Sequence, residues 1–176
     1  GGTFANVVNG TPTGANYSGT NALTVSGISG AGTYQYRCNV SASGSGCGTV
    51  SSNTVDVAVV SDPAISQNPT NFTICRGGSG ILRIVASGGT PSLTYQWKYN
   101  NGGSWQNVVN GLPTSAVYSN ATTNALSVAG IDVVGSFQYQ CVVSATGSGC
   151  GTVTSTTGVI NVVQDPTISQ QPVNVT

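Results

Sequence analysis

The chain has 176 residues, with four Lys/Arg balanced by four Asp/Glu, no His, no Met and 25 Gly. Charged side chains make up 5% of it, against about 25% in an ordinary soluble domain. This balance excludes the basic footprint that nucleic acid or an anionic membrane surface requires, and the lack of His excludes His-based triads and His-ligated metals.

In chain order, the first landmarks are Phe4, the run Asn6-Val7-Val8-Asn9-Gly10, then Gln35-Tyr36-Arg37-Cys38 and the Gly-rich Gly44-Ser45-Gly46-Cys47-Gly48. A junction, Asp62-Pro63-Ala64-Ile65-Ser66-Gln67, follows. Beyond it, strand-like runs are expected at 81–86, 94–99, 125–128, 137–143 and 159–163. In the second of these, Tyr95, Trp97 and Tyr99 alternate with Thr94, Gln96 and Lys98, which places the aromatics on one face of a strand. Gly- and Asn-rich turns punctuate the runs every ~8–12 residues, the rhythm of a two-sheet sandwich. The alternating apolar runs argue against disorder, and none approaches the ~18 residues of a membrane span, so no membrane insertion is expected.

The early landmarks then reappear. Asn107-Val108-Val109-Asn110-Gly111 repeats the first run at an offset of 101 residues. Gln138-Tyr139-Gln140-Cys141, Gly147-Ser148-Gly149-Cys150-Gly151 and Asp165-Pro166-Thr167-Ile168-Ser169-Gln170 repeat the others at an offset of 103. A two-residue insertion near Ala121-Thr122 accounts for the change. A period of that length suits a self-contained sandwich domain rather than a solenoid unit. The expected organisation is a partial repeat with only its back strands at 1–60, a complete repeat at 61–163, and the first strand of a further repeat at 164–176. The expectation is therefore a fragment of a longer array, beginning and ending inside repeats.

Residues 84–88 (Ile-Val-Ala-Ser-Gly), 95–97 (Tyr-Gln-Trp), 126–128 (Leu-Ser-Val) and 139–141 (Tyr-Gln-Cys) resemble the B, C, E and F strand signatures of immunoglobulin domains. The order Thr-Ile-Cys-Arg-Gly-Gly (73–78), Thr-Tyr-Gln-Trp (94–97), Asn-Gly-Gly-Ser-Trp (101–105) and Gln-Tyr-Gln-Cys-Val-Val (138–143) more narrowly resembles the Ig-like repeats of giant secreted surface proteins of Bacteroidetes. The resemblance implies an all-β, immunoglobulin-like antiparallel sandwich repeated in tandem and an extracellular or cell-surface location. It also implies a role as stalk, adhesin body or spacer, with neighbouring repeats as partners. One departure stands out: strand B carries Ile84 where an antibody domain has Cys. Trp97, Tyr139, Ile84 and Leu126 are then the expected core signature, with Trp97 packing against Ile84 and Cys141.

Each repeat holds three cysteines, Cys75, Cys141 and Cys150, with Cys38 and Cys47 as the earlier counterparts of the last two. An odd count in a secreted protein leaves a free thiol or a bond that departs from the domain. In an Ig topology Cys75 falls at the end where the chain leaves and Cys150 at the end where it comes in, too far apart to bond. With the turn centred on 147–148, Cys150 falls opposite Ala145, four residues from Cys141. The alternatives are a bond from Cys75 to the Cys150 counterpart of the next repeat, an intradomain bond (Cys75–Cys150 or Cys141–Cys150), or unpaired thiols.

Catalytic constellations are absent. The acids Asp56, Asp62, Asp132 and Asp165 are scattered among turns and junctions, so neither a two-carboxylate site nor a calcium cage is expected, and no cofactor is implied. Trp105, matched by Phe4, sits after a Gly-rich turn and could stack on a sugar of a surface polysaccharide, or simply cap a sheet edge. The primary expectation is a non-enzymatic, semi-rigid load-bearing stalk, in which shear along antiparallel strands and Pro-stiffened junctions resist tension. A carbohydrate-binding module and a spacer of a secreted hydrolase are the alternatives.

Overall fold

The computed structural model describes residues 3–19, 22–147 and 149–174; Gly1, Gly2, Ser148 of the expected turn and the last two residues of the expected further strand lie outside the described residues. The described residues contain strands and turns and no helix. The chain divides into two compact units, Gly1–Ser61 and Asp62–Thr176.

The first unit is built of β1 (Asn16–Ser18), β2 (Thr24–Ser26), β3 (Gly32–Tyr36), β4 (Asn39–Ser41), β5 (Thr49–Ser51) and β6 (Val55–Val59). They pair antiparallel as β1–β2, β3–β6 and β4–β5.

The second unit holds β7 (Ala64–Gln67), β8 (Phe72–Cys75), β9 (Ser79–Arg83), β10 (Val85–Ser87), β11 (Leu93–Asn101), β12 (Ser104–Asn107), β13 (Val117–Ser119), β14 (Ala125–Ala129), β15 (Gly135–Ala145), β16 (Thr152–Thr154) and β17 (Gly158–Val163). One sheet runs β12-β11-β15-β17-β8, with β16 also paired to β15. The facing layer is β13-β14-β9 together with the β10–β7 ladder. This is an immunoglobulin-like sandwich, with β9/β10 as strand B, β11 as C, β14 as E, β15 as F and β16/β17 as the two halves of G.

Alternation explains the core. On β15 the burial reads in–out from Tyr139 through Cys141 to Val143, and on β14 Leu126 and Val128 point the same way. Trp97, Tyr139, Cys141, Leu82, Ile84 and Leu126 join one buried cluster, each 1% exposed or less. Trp97 and Cys141 are direct cross-strand partners. Each large side chain so buried contributes on the order of 1.5–3 kcal/mol, which holds the sandwich without a B–F disulfide.

The all-β sandwich expected from the sequence is what the structure has, and within its otherwise antiparallel ladders β8 and β17 form one parallel pair, Phe72 with Ile160 through Cys75 with Val163. They lie side by side because the chain switches sheets between β7 and β8, and the switch is held by side chains. Asn68 Oδ1 accepts from Thr156 N at 2.8 Å, and Asn71 Oδ1 accepts from Val159 N at 2.8 Å. One sequence expectation needs correction: the F–G register pairs Ser144 with Thr152, which carries Cys150 to the level of Thr146 rather than Ala145. Its turn closes through Cys150 N to Gly147 O at 3.3 Å.

Candidate functional site

The site residues named from the sequence fall into three places. Trp97, Tyr139, Ile84 and Leu126 meet in the core of the second unit. The two indole-residue N–H groups of Trp97 are both satisfied by the inserted turn: its backbone N donates to Ala121 O at 2.9 Å and its Nε1 to Thr123 O at 2.8 Å. The turn that carries the two-residue insertion, legible only as a change of offset, thus supplies the acceptors a buried Trp needs.

The cysteines are spread along the sandwich, and all five are free thiols in the structure. Cys75 is exposed beside Val163, at the end where the chain leaves the unit. Cys150 is half-buried at the opposite end, beside Gly151, whose N–H donates to Asp62 Oδ1 at 2.7 Å. Cys141 is buried, and burial pushes its thiol up to about 12. Five residues of strand separate its level from that of Cys150, roughly 16 Å at ~3.3 Å per residue, well beyond disulfide reach. Cys141 N donates instead to Ser155 Oγ at 2.9 Å, and Ser155 N returns a bond to Cys141 O at 2.9 Å. Cys38 and Ser52 repeat that pair, at 2.9 and 2.8 Å. Cys38 and Cys47 are both exposed.

The candidate stacking aromatics are less open than their setting suggests. Trp105 is half-buried on β12, opposite Asn100. Phe4 is exposed, but the Arg37 guanidinium lies over its ring at 4.2 Å from the centroid, so one face is already occupied by a cation–π contact. Among the acids, Asp132 bonds Arg76 through Nη2 at 2.8 Å and Nε at 3.1 Å, and Asp56 accepts from Gln35 at 3.0 Å. No cluster of three or more metal-ligating side chains is found among the described residues.

One constellation escaped the sequence reading. Tyr118 donates to Leu112 O at 2.9 Å and meets the Tyr139 hydroxyl at 3.0 Å, the rings edge-on with centroids 6.1 Å apart. Tyr17, Thr11 and Tyr36 reproduce it at 2.9, 3.2 and 6.1 Å. The copied residues Tyr17/Tyr118 and Tyr36/Tyr139 were the available signal.

No family model matches the chain, and no curated protein matches it. Solved structures similar to it are immunoglobulin domains. Titin domain M7 is 17% identical over 61% of this chain and 99% of that one, with a TM-score of 0.42. The titin I-band fragment I67–I69 is 17% identical over 85% of this chain and 49% of that one, at 0.48. Sidekick-1 immunoglobulin domains 1–5 are 20% identical over 85% of this chain and 29% of that one, at 0.43.

Proposed function

We propose that the chain is a structural repeat of a long extracellular surface protein or filament of the Bacteroidetes type, a non-enzymatic, load-bearing stalk or adhesin body. The observation that carries this reading is the parallel pairing of β8, near the start of the unit, with β17, its last strand. Tension entering before Phe72 and leaving after Val163 pulls these two strands past each other. The ladder is then loaded in shear, all its bonds together, rather than opened one pair at a time.

Single-molecule pulling tests this. A second unit held at Asp62 and Val163 should unfold at clearly higher force than one held at Gly102 and Val163. The latter two points lie at the same end of the sheet, so load there peels strands apart. Equal forces in the two geometries would remove the mechanical reading.

An inter-repeat disulfide from Cys75 to the Cys150 counterpart of the next repeat fits this role, supported by the placement of the two thiols at opposite ends. Non-reducing peptide mapping of two linked complete repeats should return that pair; a Cys141–Cys150 peptide would refute it.

A further inference from the structure

The outward face of the larger sheet in the second unit carries a group of side chains that the core does not use. Gly102 and Gly103, at φ +68° and +104°, make the two-residue turn that folds β12 back on β11 and sets Trp105 opposite Asn100. The neighbouring Tyr99 is buried in the core, so Asn100 and Trp105 stand on the outer face. Asn100 is fixed there through both ends of its amide. Its Oδ1 accepts from Gly103 N at 2.8 Å, and its Nδ2 donates to Gln138 Oε1 at 2.9 Å. Trp105, Asn100 and Gln138 thus form one row across three strands, and Asn107, Lys98 and Gln140 form the next row two residues along. At ~4.8 Å between strands and ~3.4 Å per residue, the two rows cover roughly 10 Å by 7 Å. Lys98 is one of only four cationic side chains in the chain, and it makes no ion pair or hydrogen bond among the described residues. Trp105 is half-buried, and its indole N–H likewise has no partner there.

We propose that this face binds a polysaccharide bearing carboxylates, a uronic-acid-containing glycan. Trp105 lies against the apolar C–H face of a sugar ring, the side-chain amides exchange hydrogen bonds with its hydroxyls, and Lys98 pairs with the carboxylate. The spacing of the strands is close to that of successive rings in an extended glycan, so a chain lying across β12, β11 and β15 meets a new side chain at each ring. A neutral glycan leaves the one cation of the face unmatched. An acidic peptide satisfies Lys98 but finds no backbone partners at its centre, because β11 and β15 are already paired on both sides. The proposal stands on the second unit alone and is independent of the mechanical reading.

The test is affinity electrophoresis of the 176-residue chain through gels holding polygalacturonate, alginate or hyaluronan. The controls are polyglutamate and the methyl ester of whichever polymer retards the chain. At least one uronate polymer should retard it, and esterification, which keeps the rings and removes the charge, should release it. Trp105→Ala should weaken binding about tenfold or more, the loss typical of a central aromatic anchor. Trp105→Phe, which keeps a ring in place, should retain most of it. Lys98→Gln should cost up to about fivefold, the loss of one exposed ion pair. It should also remove the weakening that added salt causes in the unmodified chain, a readout that a purely structural role does not move. Urea midpoints equal to that of the unmodified chain show that the variants are folded. Retardation by none of the three polymers, equal retardation by the ester, or binding untouched by Trp105→Ala overturns the proposal. Retardation by polyglutamate as strong as by the uronates overturns it in favour of an acidic peptide.

Discussion

Tyr99 on β11, Tyr118 on β13 and Tyr139 on β15 bring their rings into mutual electrostatic range. The last two share a hydrogen bond, while the buried Tyr99 hydroxyl has no partner among the described residues. A buried unsatisfied donor costs about 1–3 kcal/mol, whereas a made bond returns about 1 kcal/mol. Tyr99→Phe should therefore raise stability, and Tyr118→Phe should lower it by about 1 kcal/mol, measured by urea denaturation with unchanged slope. The titrating groups give a further expectation. Burial raises Tyr139 from 10.0 and Cys141 from 9.0, each to about 12, and it raises Tyr118 too. The neutral forms are favoured by folding, so their contribution is complete below the unfolded values and is lost as pH climbs through the folded ones. Thermal stability should be level up to about pH 9 and fall between about pH 9 and 12; a melting temperature flat to pH 12 would contradict these burials. At this scale the sequence was informative wherever alternation placed an aromatic inward, as at Trp97. It was silent where a polar partner came from a distant turn, as Thr123 does for that same Trp.

At the scale of elements, strands B, C, E and F were legible because each carries a period-two apolar pattern on a half-buried surface. The switch between β7 and β8 was not. Its residues 68–71, Asn-Pro-Thr-Asn, read as a turn, and only tertiary pairing shows two Asn side chains standing in for backbone acceptors, one at Thr156 just ahead of β17 and one at Val159 within it. Removing both acceptors tests the switch. Asn68→Ala with Asn71→Ala should cost about 1 kcal/mol for each lost bond and speed amide exchange at Thr156 and Val159, with little effect at β14. Gly89 marks another such place: it sits at φ +58°, and a Cβ there would meet Ala145 Cβ at 2.6 Å and Pro63 Cγ at 2.9 Å. That positive φ was foreshadowed by the Gly88-Gly89-Thr90-Pro91 turn, but its close approach to β15 was not.

At the scale of the molecule, stability comes from apolar burial and neutral hydrogen bonds, because the chain has only eight formal charges. Arg76–Asp132 is the ion pair found among the described residues, and both partners are exposed. Such a pair is worth at most about 1 kcal/mol, so raising NaCl to molar levels should barely move the unfolding midpoint. The account rests on one strand plan drawn twice, closed over a core in the second unit and open in the first. Hydrogen exchange on the 176-residue chain reads that directly. The amides of Tyr139 to Val143 on β15 should exchange slowly, near the global unfolding rate, while those of Tyr36 to Val40, their copies, exchange much faster. Equal, strong protection of the two stretches would contradict it.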